Sequence, residues 1–471
     1  MSTLLALSLS ATLAAAPVLT LDEALESARQ QNLDLKIAQE RFEQASLATR
    51  RAWAGYLPTI TAGASITRNN VAAIIPAGPI APVDITIQPL IQRGAQLEAR
   101  QAIIAPQLWA GIAASYKAVN LAELNTQTAR RQVLFGVAQA YYGAAAQQEA
   151  LRAQERLLEL NQAREKDTQA RFDAGTVTRV ALLRAQLDRS RAEQDLVRAK
   201  NALAGLKLAL GTLIQREPDF ELAAPPEPTV PAQASPDDLV NKALQERSDV
   251  QAAEVGLKLS RINKTGVILS YLPTLGVTGA YRIANAAGFT GSNETWAITF
   301  GASWTLFDGG LREANLSEAS SRVREATVTQ ALAQARVKEE VRRSKLDLEN
   351  ALANRSKAEE ALELARESNR LTDVSFKAGV ATYLEVADAN TALTNAEVGF
   401  VSERLQASLA ALRLLNSLGS FESGSVKKDA AALGAEPGAG APRQAAPQQQ
   451  PAGQQPAQEQ PAPQQQPVPQ P

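Results

Sequence analysis

The chain has 471 residues and a net charge of -1, from 48 basic and 49 acidic side chains, which gives no electrostatic case for nucleic-acid binding. It contains no histidine and no cysteine, which removes the usual general base, the usual metal ligands, thiol chemistry and any disulfide framework, and points away from an enzyme. Hydrophobic residues make up 45% but aromatics only 4%, and much of the apolar content is alanine, which favours long, closely packed helices over one thick core.

The N-terminus carries an apolar run from Leu4 to Leu13 and then Ala14, Ala15 and Ala16, so residues 1–16 read as a secretory signal peptide, although without a basic leading region. No other stretch is a continuous apolar run of about 18 residues, so no transmembrane helix is expected. A secreted chain of this kind is soluble or crosses a membrane as a barrel.

The rest of the chain repeats itself. Tyr56-Leu57-Pro58-Thr59 returns as Tyr271-Leu272-Pro273-Thr274, an offset of 273 − 58 = 215, and at the same offset Asp22 matches Asp237, Asp34 matches Asp249 and Ala38 matches Ala253. Two halves follow, 17–223 and 237–420, joined by the Pro-rich linker 224–236. From Phe421 to Pro471 the composition turns to Pro, Gln, Ala and Gly, and a disordered tail over 421–471 is expected.

Each half opens with a helical stretch, Leu21 to about Ala54 and Asp237 to about Ser270, with Asp22, Glu23, Asp237 and Asp238 in the first turns, where the helix dipole favours carboxylates. Alternation of period two follows. It predicts strands over about 59–69 and 82–91 in the first half and about 274–284 and 294–307 in the second. Trp296, Ile298, Phe300 and Trp304 fall on one face, with Ala297, Thr299, Gly301 and Ser303 on the other. Strands of this kind suit a transmembrane barrel, apolar outward and polar inward, with Trp296 and Tyr281 as girdle candidates. A soluble sandwich shows the same period. Four strands close no pore, so the barrel reading requires several copies.

A very long helix comes next in each half, about Gln96–Arg171 and Leu311–Lys377, then a returning helix, Val177 to about Leu213 and Thr382 to about Leu418. The helical hairpins so cover about 95–213 and 310–418. At 1.5 Å per residue the long arms reach roughly 100–115 Å, more than any compact domain of this size needs. Leu311, Leu316, Val323, Val337, Val341, Leu348 and Leu352 give a loose sevenfold spacing suited to coiled-coil packing. Pro106, inside the first long helix, predicts a kink or a delayed start. Gly94 and Gly309-Gly310 are read as strand-to-helix transitions, and Gly175 and Gly379 as the left-handed turns at the hairpin tips.

This layout resembles the TolC-like outer-membrane efflux protein family. The resemblance covers about Leu19 to Gly419. It is carried by the duplicated helix-strand-strand-helix-helix plan, the two YLPT sequences, "ERSDVQAAE" (Glu246–Glu254), "WTLFDGGLREA" (Trp304–Ala314) and the two glycine tips. It implies a mainly α fold with a transmembrane β-barrel. Three copies would form a homotrimer with a twelve-stranded barrel in the bacterial outer membrane and a long α-helical tunnel in the periplasm. It implies a passive export duct for a tripartite multidrug efflux or type I secretion system, contacting outer-membrane lipid. A periplasmic adaptor protein would link it to an inner-membrane pump or ABC transporter, with no cofactor and no catalytic residue. A secreted structural or adhesive coiled-coil protein is the alternative.

By the same resemblance Glu385 and Asp388 ring the periplasmic aperture, three residues apart on one helix face, against the plainer reading of a solvated acidic face. Such a ring would favour cations and could take a divalent ion. Phe172, Gly175, Phe376 and Gly379 at the tips are the adaptor-docking candidates, against plain turn chemistry. A tip latch known in the family would fall on Ala181 and Ala381 here, so it is absent or rebuilt, with Arg179 as a candidate.

Overall fold

The structure, a computed structural model, describes residues 17–79, 82–230 and 234–421. The signal peptide expected over 1–16, and the tail beyond Phe421, lie outside the described residues.

Chain order runs from β1 (Val18–Leu19) through α1 (Leu21–Gln31) and α2 (Leu33–Ala54) to β2 (Thr59–Arg68), β3 (Ala73–Ile75), β4 (Ile85–Gln88) and β5 (Ile91–Ile104). The first hairpin is α3 (Pro106–Asp173) and α4 (Arg179–Ile214), followed by β6 (Glu221–Leu222). The second half has α5 (Pro236–Glu246), α6 (Ser248–Leu269), β7 (Thr274–Ala284), β8 (Glu294–Ser303), α7 (Leu311–Lys377) and α8 (Tyr383–Ser417).

Four expectations need correction. The second strand is Ile91–Ile104, not 82–91; residues 85–88 instead pair with Ala73–Ile75 in a small hairpin. The sequence IQRGAQLEARQAII is rich in helix formers, but it alternates, and its ladders to β2 and β7 override propensity. The first long helix therefore starts at Pro106, not near Gln96, and Pro106 occupies its first position, where a missing N–H costs nothing, so it starts the helix and does not kink it. Gly94 lies inside β5, opposite Ser65 and Ala284, and makes no strand-to-helix transition. Phe421, assigned to the tail, is fully buried and meets Phe135 edge-to-face with ring centroids 5.8 Å apart.

Each leading helical stretch is two helices, not one. Asn32 stops α1 and caps α2, its Oδ1 accepting from the Leu35 N–H at 3.1 Å. Arg247 marks the same break between α5 and α6.

The sheet order is β2-β5-β7-β8, all antiparallel. The register puts Ala62, Leu97, Tyr281 and Trp296 in one cross-strand row and Gly63, Gln96, Arg282 and Thr295 in the next. Alternate rows point to opposite faces, so one face is apolar and the other small or polar. The apolar face is bare: Ile66, Trp296 and Phe300 are about three-quarters exposed, at 77%, 74% and 76%. β2 and β8 each pair on one side only, leaving two open edges.

The buried core lies far from the sheet, midway along the helices. One cluster joins α1 to the middle of α3, the ends of α4 and α8, and Phe220 and Phe421; Leu25, Leu134, Tyr141 and Leu210 are at its centre. The other joins α5 to α7 and α8 through Leu239, Val341, Leu348 and Leu414. The Tyr141 hydroxyl sits 2.9 Å from both the Leu19 and Ala223 carbonyl oxygens, which ties β1 and the chain after β6 to α3. Burial, and then the charge of Glu23, pushes this phenol up to about 12. No described helix is long and apolar enough to cross a membrane.

Candidate functional site

Both hairpin tips are built by the same chemistry. The last turn of α3 closes with the Gly175 N–H donating to the Phe172 carbonyl at 2.9 Å and the Thr176 N–H donating to the Arg171 carbonyl at 2.9 Å. At the second tip Gly379 donates to Phe376 at 3.0 Å and Val380 to Ser375 at 2.9 Å. This paired pattern satisfies carbonyls that the helix end leaves open, and it needs a left-handed residue. Gly175 and Gly379 supply it, with φ of 71° and 77°.

The two tips touch. The Arg171 guanidinium lies over the Phe376 ring, 5.3 Å from its centroid. Phe172 and Phe376 are both half-buried, while Gly175 and Gly379 are exposed. Within one copy Arg179 makes no ion pair among the described residues, and at the tips themselves the contact between hairpins is Arg171 on Phe376.

Glu385 and Asp388 lie one turn apart at the start of α8, both exposed. Glu385 is engaged in capping. Its carboxylate accepts from the Thr382 N–H at 2.6 Å and hydroxyl at 2.9 Å, and the Thr382 oxygen accepts from the Glu385 N–H at 3.3 Å. The backbone bond first, and the hydroxyl second, hold this carboxyl below its usual range. Asp388 has no such partner among the described residues. No group of three or more acidic side chains that could hold a metal occurs in a single copy among the described residues.

Below the tips, polar and charged groups of the four hairpin helices lie near one another. Asn369 on α7 donates to Asn390 on α8 at 2.6 Å, and Asn390 is buried. Arg164 on α3 is lowered by burial despite the nearby charges of Tyr383, Asp373 and Asp188. Tyr383, the first residue of α8, is raised by burial and by Asp188. One cluster so gathers a residue from each of α3, α4, α7 and α8.

A profile of the outer membrane efflux protein family matches residues 24–214 and 239–420. The chain belongs to that family. It is an outer-membrane protein of a family of channels, not of enzymes. Outer membrane protein OprJ of Pseudomonas aeruginosa is 27% identical over 191 residues, 38% of each chain. Outer membrane efflux protein BepC of Brucella suis is 24% identical over 258 residues, 53% of this chain and 55% of that one. The alignments so span 38% and 55% of those relatives. Among solved structures, the outer membrane protein VceC of Vibrio cholerae superimposes with a TM-score of 0.71 at 20% identity, over 85% of this chain and 96% of that one. The CmeC outer membrane channel of Campylobacter jejuni gives 0.73 at 18%, over 88% and 89%. These establish the efflux-channel fold, a sheet continued by long helices.

Sequence reasoning missed three features of this family member. The capping box was visible as Thr382-x-x-Glu385. The Arg171–Phe376 contact leaves no local signal, because its partners are 205 positions apart (376 − 171 = 205). The third is an ion network in the motif ERSDVQAAE: Arg247 pairs with Asp249 and Glu340, both at 2.7 Å, and Asp249 also lies 3.7 Å from Arg131.

Proposed function

We propose that three copies of this chain form a passive export duct in which each copy supplies four staves of a twelve-stranded barrel. The observation that carries this reading is the sheet. Its apolar face is bare, its other face is small and polar, and β2 and β8 each leave one edge unpaired. In lipid such edges are untenable, because each unsatisfied backbone group costs several kcal/mol. Closing β8 of one copy on β2 of the next satisfies all of them and puts the apolar rows against lipid.

The helices continue the wall. A helix of 68 residues spans about 100 Å, enough to carry the duct through the periplasm. The energy for export would come from an inner-membrane pump or ABC transporter, reached through a periplasmic adaptor. Phe172, Gly175, Phe376 and Gly379 would present the docking surface at the tips. Glu385 and Asp388 would ring the inner aperture three times over. Asp388 is the freer of the two, since Glu385 is tied to Thr382. BepC is named as an outer membrane efflux protein, which favours efflux as the system served. The coiled-coil alternative has no use for a bare apolar sheet.

Planar-bilayer conductance tests this reading. The purified protein should need detergent, run as a trimer and form cation-selective channels. Replacing Glu385 and Asp388 with alanine should reduce cation selectivity and any divalent block. Unchanged selectivity would remove these residues from the aperture. A water-soluble monomer without conductance would remove the duct.

A further inference from the structure

A cavity of about 480 Å³ opens between α3, α8 and the chain that follows β6. Its charged wall is made of Arg152 and Arg156, one turn apart on α3, and Arg404 on α8, with the carboxylates of Glu149 and Glu227. Leu222, Pro225 and Leu405 add apolar surface to the lining.

Each carboxylate here already has an arginine. Glu149 pairs with Arg404. Glu227 is held from outside the cavity by Arg355 at 2.8 Å. Arg156 is taken by Glu397 at 3.1 Å. Arg152 has neither an ion pair nor a hydrogen bond among the described residues. The remaining side-chain donors are committed as well, the Ser408 hydroxyl to the Arg404 carbonyl. The Tyr142 hydroxyl donates to the Pro226 carbonyl, the Gln148 amide donates to the Leu222 carbonyl, and prolines 225 and 226 have no N–H. The lining thus carries one more positive than negative charge, and its one uncommitted cation, the exposed Arg152, shares the lining with those apolar side chains.

We propose that this cavity binds a small organic anion, one carboxylate on a compact apolar body, with Arg152 as its anchor. A guanidinium takes a carboxylate through two parallel N–H···O bonds, which fixes the orientation of the ligand. The hydrocarbon part then lies against Leu222, Pro225 and Leu405. Arg156 and Arg404 raise the local positive potential but are partly neutralised by Glu397 and Glu149. The site stands whether or not the chain exports anything, because it lies in the helical wall and uses no residue of the tips, the aperture or the sheet.

Fluorine NMR on the full chain in detergent tests it, with para-fluorobenzoate as probe and detergent alone as baseline. The wild-type protein should broaden the benzoate line and leave that of the uncharged para-fluorobenzamide at baseline. Arg152→Gln should weaken benzoate binding about tenfold, the scale of one charge-assisted hydrogen-bonded pair. Glu397→Gln, which frees Arg156, should tighten it, a gain that misfolding cannot produce. No broadening by the wild type, equal broadening of the amide, an unchanged Arg152→Gln or a Glu397→Gln that binds no tighter would each overturn the site.

Discussion

The two repeats solve one joint with two chemistries. Asn32 and Arg247 are equivalent positions, 247 − 32 = 215, and each interrupts the leading helices of its repeat. Each sends a side-chain donor to a carbonyl at the end of the returning helix. Asn32 Nδ2 donates to the Leu213 oxygen at 2.8 Å, and Arg247 Nη1 donates to the Ser417 oxygen at 3.1 Å. Those acceptors are equivalent too, since 417 − 213 = 204 and the tip glycines give 379 − 175 = 204. The bond is what the architecture needs, because the last carbonyls of a helix have no partner within it. The donor is free to vary. In the first repeat it is a neutral amide. In the second it is a cation, and Glu340 and Asp249 gather to balance it. The position equivalent to Glu340 in the first repeat is Gly136 (340 − 204 = 136), so no carboxylate was available there. Duplication has conserved a geometry and let its electrostatics diverge.

Removing each donor breaks or sharpens that comparison. Arg247→Ala should have the largest effect, a loss of about 3 kcal/mol, because it strips a buried guanidinium from two carboxylates and a buried carbonyl. Thermal or denaturant unfolding of the detergent-solubilised protein reads this directly. A loss below about 1 kcal/mol would mean that the network contributes no more than a surface pair. Asn32→Ala should cost about 1–2 kcal/mol by the same measurement, from one hydrogen bond to Leu213 and the cap on Leu35. Equal losses at the two sites would show that the charges of the second joint add nothing.

The joint also marks how far the sequence could be read. The repeat, the helical hairpins and the tip glycines were legible because each is a local pattern: a recurring tetrapeptide, an unbroken run of helix formers, a glycine at a helix end. The pair Asp34 and Asp249 emerged from the same offset. What they do did not, since the role of Asp249 depends on Arg131, which is 249 − 131 = 118 positions away. The second strand was misplaced for a related reason. Leu97, Glu98 and Arg100 favour a helix in isolation, and only the neighbouring strands hold them extended. At the candidate aperture, Glu385 was identified by resemblance, whereas its bond to Thr382 was legible as a capping box and was not used.

At the tips the two repeats use the same chemistry, so here substitutions should have equal effects. A Cβ on Gly175 or Gly379 would meet nothing within 4 Å, and the whole cost is backbone conformation. Gly175→Ala and Gly379→Ala should each destabilise by about 1 kcal/mol, the penalty for an L-residue in the left-handed region. Local hydrogen exchange of the tip amides is the sensitive readout, since both turns lie at an exposed end. A difference of more than about twofold between the two tips would show that Arg171 on Phe376 loads one turn and not the other.

The smallest effect is expected from acid. Burial opposes the charge of Asp249, but the hydrogen bonds and charge of Arg247, helped by Arg131, outweigh it and hold the carboxyl below its ordinary value of 3.8. A carboxylate depressed in the folded state binds fewer protons there than when unfolded. Its contribution is therefore complete above the unfolded value and is lost as pH falls through the folded one. The side chain is 36% exposed, so solvent screens the interaction and the contribution should stay below about 1 kcal/mol. The stability gap between wild type and Asp249→Asn should accordingly be constant from neutral pH down to about 5 and narrow below 4. The first repeat offers the control. Its joint has no titrating donor, so the gap between wild type and Asn32→Ala should not change over the same range. A narrowing of both gaps together would trace the acid response to the protein as a whole and not to the charged joint.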